Sequence, residues 1–437
     1  MKLWQKEGAS VNETIERFTV GRDKEFDVLL AKYDVLGSIA HVTMLGEVGL
    51  MTQAESEQAV VGLKKILHEI EAGNFAIDDH VEDVHSQVEM QLTQNIGEVG
   101  KMIHSGRSRN DQVAVDIKLY LRSEILSLKD QVKKLFDLLI EKSEEYKSYG
   151  LPGYTHLQLA MPSSFGQWFG AYAESLIDDT EMLLASYKIV NKNPLGSGAG
   201  YGSTFPLNRK RTTELLEFDQ LNWNAVYAQM TRGKAEKTVA TSLSYLAATL
   251  AKLSLDCCLY MNQNFGFITF PDHLTTGSSI MPHKKNPDVF ELVRGKCNRI
   301  QALPNEMTMM MTNLPSGYHR EMQLTKEMLF PAIEEMKACI EMVILMLSNI
   351  KITPGILEND QYKLLFTVES VNELVMKGIP FRDAYKQVGN DVNNGNYTKP
   401  NLSIDEDKAH EGSIYNLCNE EISIMMDVVL TGFDKKR

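Results

Sequence analysis

The segment 113–147, VAVDIKLYLRSEILSLKDQVKKLFDLLIEKSEEYK, decides the fold. Its apolar side chains return every three or four residues and form one stripe: Val113, Ile117, Leu121, Ile125, Leu128, Val132, Leu135 and Leu139. Such a stripe is typical of an α-helix that buries one face. A helix of about 30 residues is about 45 Å long at 1.5 Å per residue.

Four further segments show the same periodicity: 160–190, 234–262, 289–312 and 327–350. In 234–262 one stripe comprises Val239, Leu243, Leu246, Leu250 and Leu253, and a second apolar face comprises Ala240, Ala247, Ala248 and Leu255. A helix that is apolar on more than one side belongs at the centre of a bundle or between subunits.

Strand signals are scarce, because no Asn-Gly or Asp-Gly turn separates two alternating apolar runs. The sequence therefore predicts an all-α fold, with an elongated central helix bundle flanked by two smaller helical domains. At 437 residues the chain is too long for one simple core. We expect domains at 1–106, 107–351 and 352–437, the last beginning where Ile352-Thr353-Pro354-Gly355 breaks the helical pattern.

The composition argues against several classes of partner. A formal net charge of −13 is wrong for a nucleic-acid-binding surface. The five cysteines form no CxxC pair, which favours free thiols in a reducing cytoplasm. The N-terminus has no apolar signal core, and the uncharged stretch between Lys237 and Lys252 is too short to span a bilayer.

The loop 277–288, GSSIMPHKKNPD, concentrates polar chemistry. Its Gly and two Pro break regular structure, and they enclose two hydroxyls, two ammonium groups and an amide. This combination suits binding an anion and moving a proton beside it.

Three other segments have a similar character. The first, 104–112, HSGRSRNDQ, places two Arg before a helix, where backbone N–H groups favour anions, although Asn110 or Asp111 also suits a simple N-cap. The second, 153–158, GYTHLQ, holds a His suited to proton transfer, although a lone loop His is more often a surface residue. The third, 318–327, YHREMQLTKE, puts Gln323 and Lys326 on one helical face.

Two tempting motifs are rejected. The glycine-rich segment 196–202 follows no strand and lacks GxGxxG spacing, so it predicts a close-approach loop and no dinucleotide cofactor. His80 and His85, with Glu82, Asp83 and Glu89, fit no zinc spacing. We therefore expect no metal and no cofactor.

The four polar segments together closely resemble those of the argininosuccinate lyase family in the fumarase/aspartase superfamily, and the resemblance runs nearly end to end, from Leu3-Trp4 to the C-terminus. It implies a cytoplasmic enzyme of arginine biosynthesis that cleaves argininosuccinate reversibly to arginine and fumarate by anti β-elimination. It also implies a homotetramer whose central helices form a common bundle, with each site built from three subunits.

The resemblance assigns the site residues as well. The catalytic set is Ser278, His156, Lys284 and Glu291; the substrate-binding set is Arg109, Asn110, Thr155, Asn286, Tyr318, Gln323 and Lys326. Ser278 would be the base and His156 the acid, with Glu291 orienting the imidazole, although Ser279 and the reversed acid and base labels stay open. Lys284, helped by Lys285, would activate Ser278 and stabilise the carbanion.

Two positions depart from the family pattern. Asp23 stands where the family usually has Ser, so Arg22 or Thr19 is a candidate substitute for contacting a substrate carboxylate. The family's Asp-Arg-Asp reads Thr231-Arg232-Gly233 and keeps only the Arg. Three alternatives also fit the scaffold: adenylosuccinate lyase, fumarase and a structural lens protein.

Overall fold

The chain is described by a computed structural model that covers residues 13–400 and 410–434. The predicted ends, including Leu3 and Trp4, lie outside the described residues. The α-helices are α1 (Glu13–Val20), α2 (Asp23–Glu47), α3 (Gln53–Glu71), α4 (Val84–Ile96), α5 (Arg109–Glu145), α6 (Phe165–Val190), α7 (Arg209–Leu215), α8 (Ala225–Met230), α9 (Lys234–Met261), α10 (Asp288–Met310), α11 (Leu324–Ser348), α12 (Thr367–Met376), α13 (Phe381–Asn393) and α14 (Asn419–Thr431).

Strands are short and pair only in twos within the described residues. The pairs are β1 (Gly150–Thr155) with β2 (Gln158–Ser164), β3 (Lys192–Asn193) with β4 (Gln220–Leu221), β5 (Ile268–Thr269) with β8 (Lys351–Ile352), and β6 (Thr276–Gly277) with β7 (Lys285–Asn286). The predicted all-α fold is confirmed, because these pairs only fasten loops at the ends of long helices.

The central bundle consists of α5, α6, α9, α10 and α11, which pack along their lengths. The stripe predicted in 113–147 forms the inner face of α5, where Leu121, Ile125, Leu128 and Val132 are fully buried. Between α5 and α6 the backbones approach closely, since a Cβ on Gly166 would lie 2.6 Å from Lys147 Cα. Only glycine permits this approach without a shift of the chain.

Helix α9 buries more of its apolar surface within one chain than the sequence suggested. Ala240 and Ala247 of the second apolar face are fully buried, whereas Ala248 and Leu255 are exposed, so the bundle uses about half of this face. The outward side keeps Tyr245, Ala248 and Leu255, with Tyr245 51% exposed. What remains for a partner is therefore a narrow strip that carries no charge between Lys237 and Lys252.

Separate apolar clusters hold the two ends of the chain. Helices α2, α3 and α4 share one cluster, which includes Val35, Leu63 and Leu92. Helices α12 and α13 share another around Val371 and Ala384. The domain boundaries at 106/107 and 351/352 stay predictions.

By length and composition alone, α2 could cross a membrane, and it is the one such helix in the described part of the chain. However, 61% of its apolar window is buried against other parts of the protein. A core helix of a soluble protein has the same properties, so this burial accounts for its apolar character.

Candidate active site

A cleft of about 500 Å³ opens at the N-terminal end of α5. Its walls come from the link between α1 and α2, the start of α4, the loop 104–110, the start of α9 and the segment 318–326. Five sequence-predicted residues line it: Arg109, Asn110, Tyr318, Gln323 and Lys326. The structure thus brings together segments that are more than two hundred residues apart.

The loop before α5 is fixed by a capping box. The Ser108 hydroxyl accepts the N–H of Asn110 at 3.3 Å, and the Asp111 carboxylate accepts the N–H of Ser108 at 2.8 Å. The other oxygen of Asp111 accepts the N–H groups of Gly196 and Gly198 at 3.0 and 2.9 Å. The glycine-rich segment is therefore a close-approach loop that buttresses this end of the cleft, as the sequence predicted.

Arg109 is held by residues at the start of α4. Its Nη2 donates to Ser86 Oγ at 2.9 Å, and its Nε lies 3.4 Å from Asp83 Oδ2. Nearby, Arg107 donates to Ser38 Oγ at 2.9 Å and is buried, which lowers its pKa. The N-cap is Ser108 and not Asn110 or Asp111 as the sequence suggested, and the cationic wall lies beside it.

Lys326 is buried at the floor of the cleft between two carboxylates. Its Nζ lies 2.6 Å from Asp23 Oδ1 and also bonds Asp27. Burial opposes the ammonium charge, but the two carboxylates raise the pKa of Lys326 above its ordinary value. Gln323 donates to the carbonyls of Thr19 and Val20 at 3.1 and 3.2 Å, which fixes the end of α1 against this floor.

The departure at Asp23 has a definite geometry. Arg22 does not take over a role in the cleft, because its guanidinium pairs with Glu25 at 2.8 Å and is 61% exposed. Thr19 offers its carbonyl to Arg320 and Gln323. Asp23 itself occupies the wall, and burial next to Asp27 raises its pKa to about 6 despite the neighbouring Lys326.

Arg232, the retained member of its motif, is buried on the same cleft. Its Nε donates to Glu236 at 3.0 Å and its Nη2 to the Met322 carbonyl at 3.1 Å. Its Nη1 has no hydrogen-bond partner among the described residues. The guanidinium also lies over the Tyr318 ring, 5.9 Å from its centroid.

His156 lies at the other end of α5, on the tip of the β1–β2 hairpin. The pairing of Thr155 with Gln158 leaves His156 and Leu157 as a two-residue turn with φ of 55° and 59°. Left-handed backbone is uncommon for such residues and costs roughly 1–2 kcal/mol each. The turn points Thr155 and His156 into solvent, away from the cleft just described.

The loop 277–288 forms a second hairpin on β6 and β7. Ser278 Oγ accepts the backbone N–H groups of Ile280 and Met281 at 3.3 and 3.1 Å. Ser278 is half-buried, whereas Ser279 is exposed. Two N–H donors on one hydroxyl oxygen favour its deprotonated form, and this distinguishes Ser278 from its neighbour.

Lys284, Asn286 and Glu291 share a cleft with the end of α9. The Asn286 amide donates to Thr276 Oγ1 at 3.3 Å, which closes the hairpin base. Lys285 forms an ion pair with Asp272, so Lys284 is the cation that faces the cleft without that pairing. His156 does not line this cleft, so the expected contact between Glu291 and His156 is not formed within one chain.

Below the first cleft lies a buried acid–histidine cluster. His85 Nδ1 is 2.8 Å from Asp34 Oδ1 and 3.6 Å from Asp116 Oδ2. Burial raises the pKa of Asp116 well above its usual range; although burial also opposes ionisation of Asp34, His85 lowers the pKa of Asp34. Ligand atoms of the three lie within 4.8 Å of one another, and the positive charge of Arg107 also contributes to lowering the pKa of Asp34.

One chain thus divides the predicted residues between two ends of the bundle. Arg109, Asn110, Tyr318, Gln323 and Lys326 lie at one end, and Thr155, His156, Ser278, Lys284, Asn286 and Glu291 at the other. The 37 residues of α5 separate the loop before it from the hairpin after it by about 55 Å.

The sequence interpretation placed Arg107 in an anion-binding loop but did not name Asp27 or Arg320 as parts of the cleft. Asp23 and Asp27 are four residues apart, so they share a helical face, and this spacing was the available signal. Nothing local in the sequence pairs them with Lys326, which is 299 residues from Asp27.

A bundle of long helices with polar, hydroxyl- and cation-bearing loops at both ends is the architecture that the resemblance to the fumarase/aspartase superfamily implies. The profile of a family described as lyase matches residues 10–302. An EDDS lyase variant with bound fumarate shares the fold at a TM-score of 0.76 and 20% identity, covering 98% of this chain and 91% of that one. A fumarate lyase:delta crystallin from Brucella melitensis has a TM-score of 0.70 and 16% identity, with coverage of 94% and 91%.

Relatives of higher sequence identity are argininosuccinate lyases. An argininosuccinate lyase of Bacteroides thetaiotaomicron is 56% identical over 437 residues, covering 99% of this chain and 96% of its own. That of Parabacteroides distasonis is 56% identical, with coverage of 100% and 97%, and that of Citrifermentans bemidjiense 39% identical, with coverage of 98% and 94%. The chain belongs to the argininosuccinate lyase family.

Proposed function

We propose that the chain is an argininosuccinate lyase, which converts argininosuccinate reversibly to L-arginine and fumarate. The observation that carries this is the 56% identity with argininosuccinate lyases over essentially the whole chain. Adenylosuccinate lyase, fumarase and a structural lens protein are not favoured by these relatives.

The reaction requires a base, an anion-stabilising group and an acid. Ser278 removes the proton from the succinyl carbon beside the carboxylate, and the electron pair forms the new double bond as the carbon–nitrogen bond breaks. His156 gives a proton to the departing guanidino nitrogen. Each proton-transfer role typically contributes about 10²–10⁴ in rate.

The environment of Ser278 supports its role as base. A serine hydroxyl is a poor base unless its oxyanion is stabilised, and the N–H groups of Ile280 and Met281 supply that stabilisation. Lys284 adds positive charge on the same loop, where negative charge accumulates on the substrate carboxylate. Glu291 orients the imidazole of His156 from a neighbouring subunit.

The distribution of site residues supports a homotetramer. Neither end of α5 alone holds both the proton-transfer residues and the buried floor around Lys326. Head-to-tail packing of neighbouring bundles would place the hairpin of one subunit over the cleft of another, and the uncharged outer strip of α9 suits such packing. The free cysteines favour the reducing cytoplasm.

One assay tests the function. The purified chain is offered argininosuccinate, adenylosuccinate or malate, and fumarate is followed by its absorbance. We expect fumarate from argininosuccinate, with L-arginine released in equal amount. Turnover of adenylosuccinate or malate instead, or no turnover of any of the three, would reject the proposal.

A further inference from the structure

The floor of the first cleft carries an excess of negative charge. Asp23 and Asp27 project from one face of α2 and both contact the Lys326 ammonium, which is 3% exposed. One ammonium balances only one of the two carboxylates. The three groups therefore hold a net charge of −1 when ionised, and they leave room for one more cation.

A cationic anchor lies beside this acidic floor. Arg232 is balanced by Glu236, yet its Nη1 lacks a hydrogen-bond partner among the described residues although the side chain is 4% exposed. Arg232 and Asp23 interact electrostatically across the cleft that both line. A buried N–H donor without a partner is costly, so it points to a ligand acceptor.

Carboxylate acceptors and a buried N–H donor, side by side, match the two charges of an α-amino acid. The ammonium of such a group would neutralise the remaining negative charge of the acidic floor. Its carboxylate would accept a hydrogen bond from Arg232 Nη1.

We propose that Asp23 is a specificity-determining residue, which with Asp27 receives the α-ammonium of the arginine part of the substrate. This inference rests on the proposed function and deepens it. It gives a reason for an acidic side chain at a position where the family usually has Ser: the chain selects the zwitterionic end of the substrate by its ammonium.

The burial of Asp23 is consistent with a ligand role. Its pKa is raised to about 6 by burial and by Asp27, so its ionised form costs stability in the unliganded chain. A carboxylate that is ionised at a cost to stability is stabilised electrostatically when a cationic ligand binds beside it.

The test uses the reverse reaction, with fumarate saturating and either L-arginine or its desamino analogue, 5-guanidinopentanoate, varied. Asp23→Ser and Asp23→Asn are compared with Glu25→Gln, since Glu25 is on the same helix but exposed and paired outside the cleft. We expect both Asp23 variants to lose about 10- to 100-fold in kcat/KM for L-arginine, mainly through KM. Their values for the desamino analogue should be unchanged or higher.

An equal loss for both compounds, or a loss confined to kcat, overturns the inference. Asp23→Asn keeps the shape of the side chain. It therefore tests the role of the Asp23 charge even if Asp23→Ser does not fold. Binding of L-arginine by calorimetry gives the same comparison without turnover. Failure of the wild-type chain to release fumarate from argininosuccinate sinks the proposed function; normal turnover with undiminished discrimination in Asp23→Asn sinks only this inference.

Discussion

At the scale of single residues, the surroundings of two neighbouring serines differ although their sequence context is almost the same. Ser278 Oγ accepts two backbone N–H groups, and Ser279 is exposed. We expect Ser278→Ala to reduce kcat by about 10³ or more, because no other group replaces a proton-transfer residue. Steady-state turnover of argininosuccinate measures this.

Ser279→Ala is the matched control for that experiment and should keep most of the activity. If Ser279→Ala loses its activity while Ser278→Ala retains more than a tenth, the base is Ser279 and not Ser278.

His156 offers a second test at this scale. Asparagine tolerates left-handed backbone, so His156→Asn keeps the turn at φ 55° while removing the titratable ring. The pH–rate profile should lose one limb, and Glu291→Gln should weaken the same limb less. A bell-shaped profile that survives in His156→Asn assigns the acid role elsewhere.

Asp23 gives a prediction for stability. The pKa of Asp23 is about 6 in the folded chain against 3.8 ordinarily, so the unfolded chain releases this proton first as pH rises, and stability falls between those values. Asp23→Asn cannot ionise, and we expect it to raise the free energy of unfolding by about 1–3 kcal/mol above pH 6. Denaturant unfolding should show no gain near pH 3.5; a gain that does not depend on pH would contradict this account.

At the scale of elements, the periodicity of apolar residues located the long helices well. The segment predicted at 234–262 is α9 at Lys234–Met261, and that at 327–350 is α11 at Leu324–Ser348. Both α10 and α11 tolerate an internal proline, Pro304 and Pro331. Periodicity succeeds here because burial of one face is a local property of a long helix.

The hairpin at Gly150–Ser164 was not predicted, and part of it was assigned to the helix at 160–190. Its two-residue turn is made by His156 and Leu157, where Asn-Gly is the usual signal, and β1 contains Pro152 and Gly153. The pairing of Asp23 and Asp27 with Lys326 was equally hidden, since it depends on tertiary packing. The roles of the cleft residues were accessible only through the family resemblance.

Close approach of α5 and α6 leads to a test of packing. In Gly166→Ala the new Cβ would lie 2.6 Å from Lys147 Cα and 2.7 Å from the Ser143 carbonyl. Backbone cannot yield easily, so we expect a loss of about 1–3 kcal/mol in unfolding free energy.

Gly389→Ala in α13 is the control, because no atom lies within 4 Å of its Cβ position. It should be neutral or stabilise by up to about 1 kcal/mol. Equal melting behaviour of the two variants would show that the α5–α6 contact adjusts freely.

At the scale of the whole molecule, a site built from several subunits predicts complementation, because His156 does not line the cleft that holds Lys284 and Glu291 of its own chain. His156→Asn and Ser278→Ala should each be nearly inactive, but mixed tetramers can contain sites whose loops are all intact. After partial denaturation and reassembly of the mixture, activity should rise well above that of either parent. Argininosuccinate turnover, with subunit exchange checked by mass, measures the gain.

Each parent taken through the same denaturation alone is the control. No recovery in the mixture despite verified exchange would place His156 and Ser278 of each site on one and the same subunit.

The length of α5 also affects how such an enzyme responds to dilution. When residues about 55 Å apart must be supplied by different copies, a dissociated subunit stays folded yet has no complete site. Specific activity then depends on protein concentration, and it disappears upon dilution before any secondary structure is lost. Subunit abundance itself becomes a control on flux.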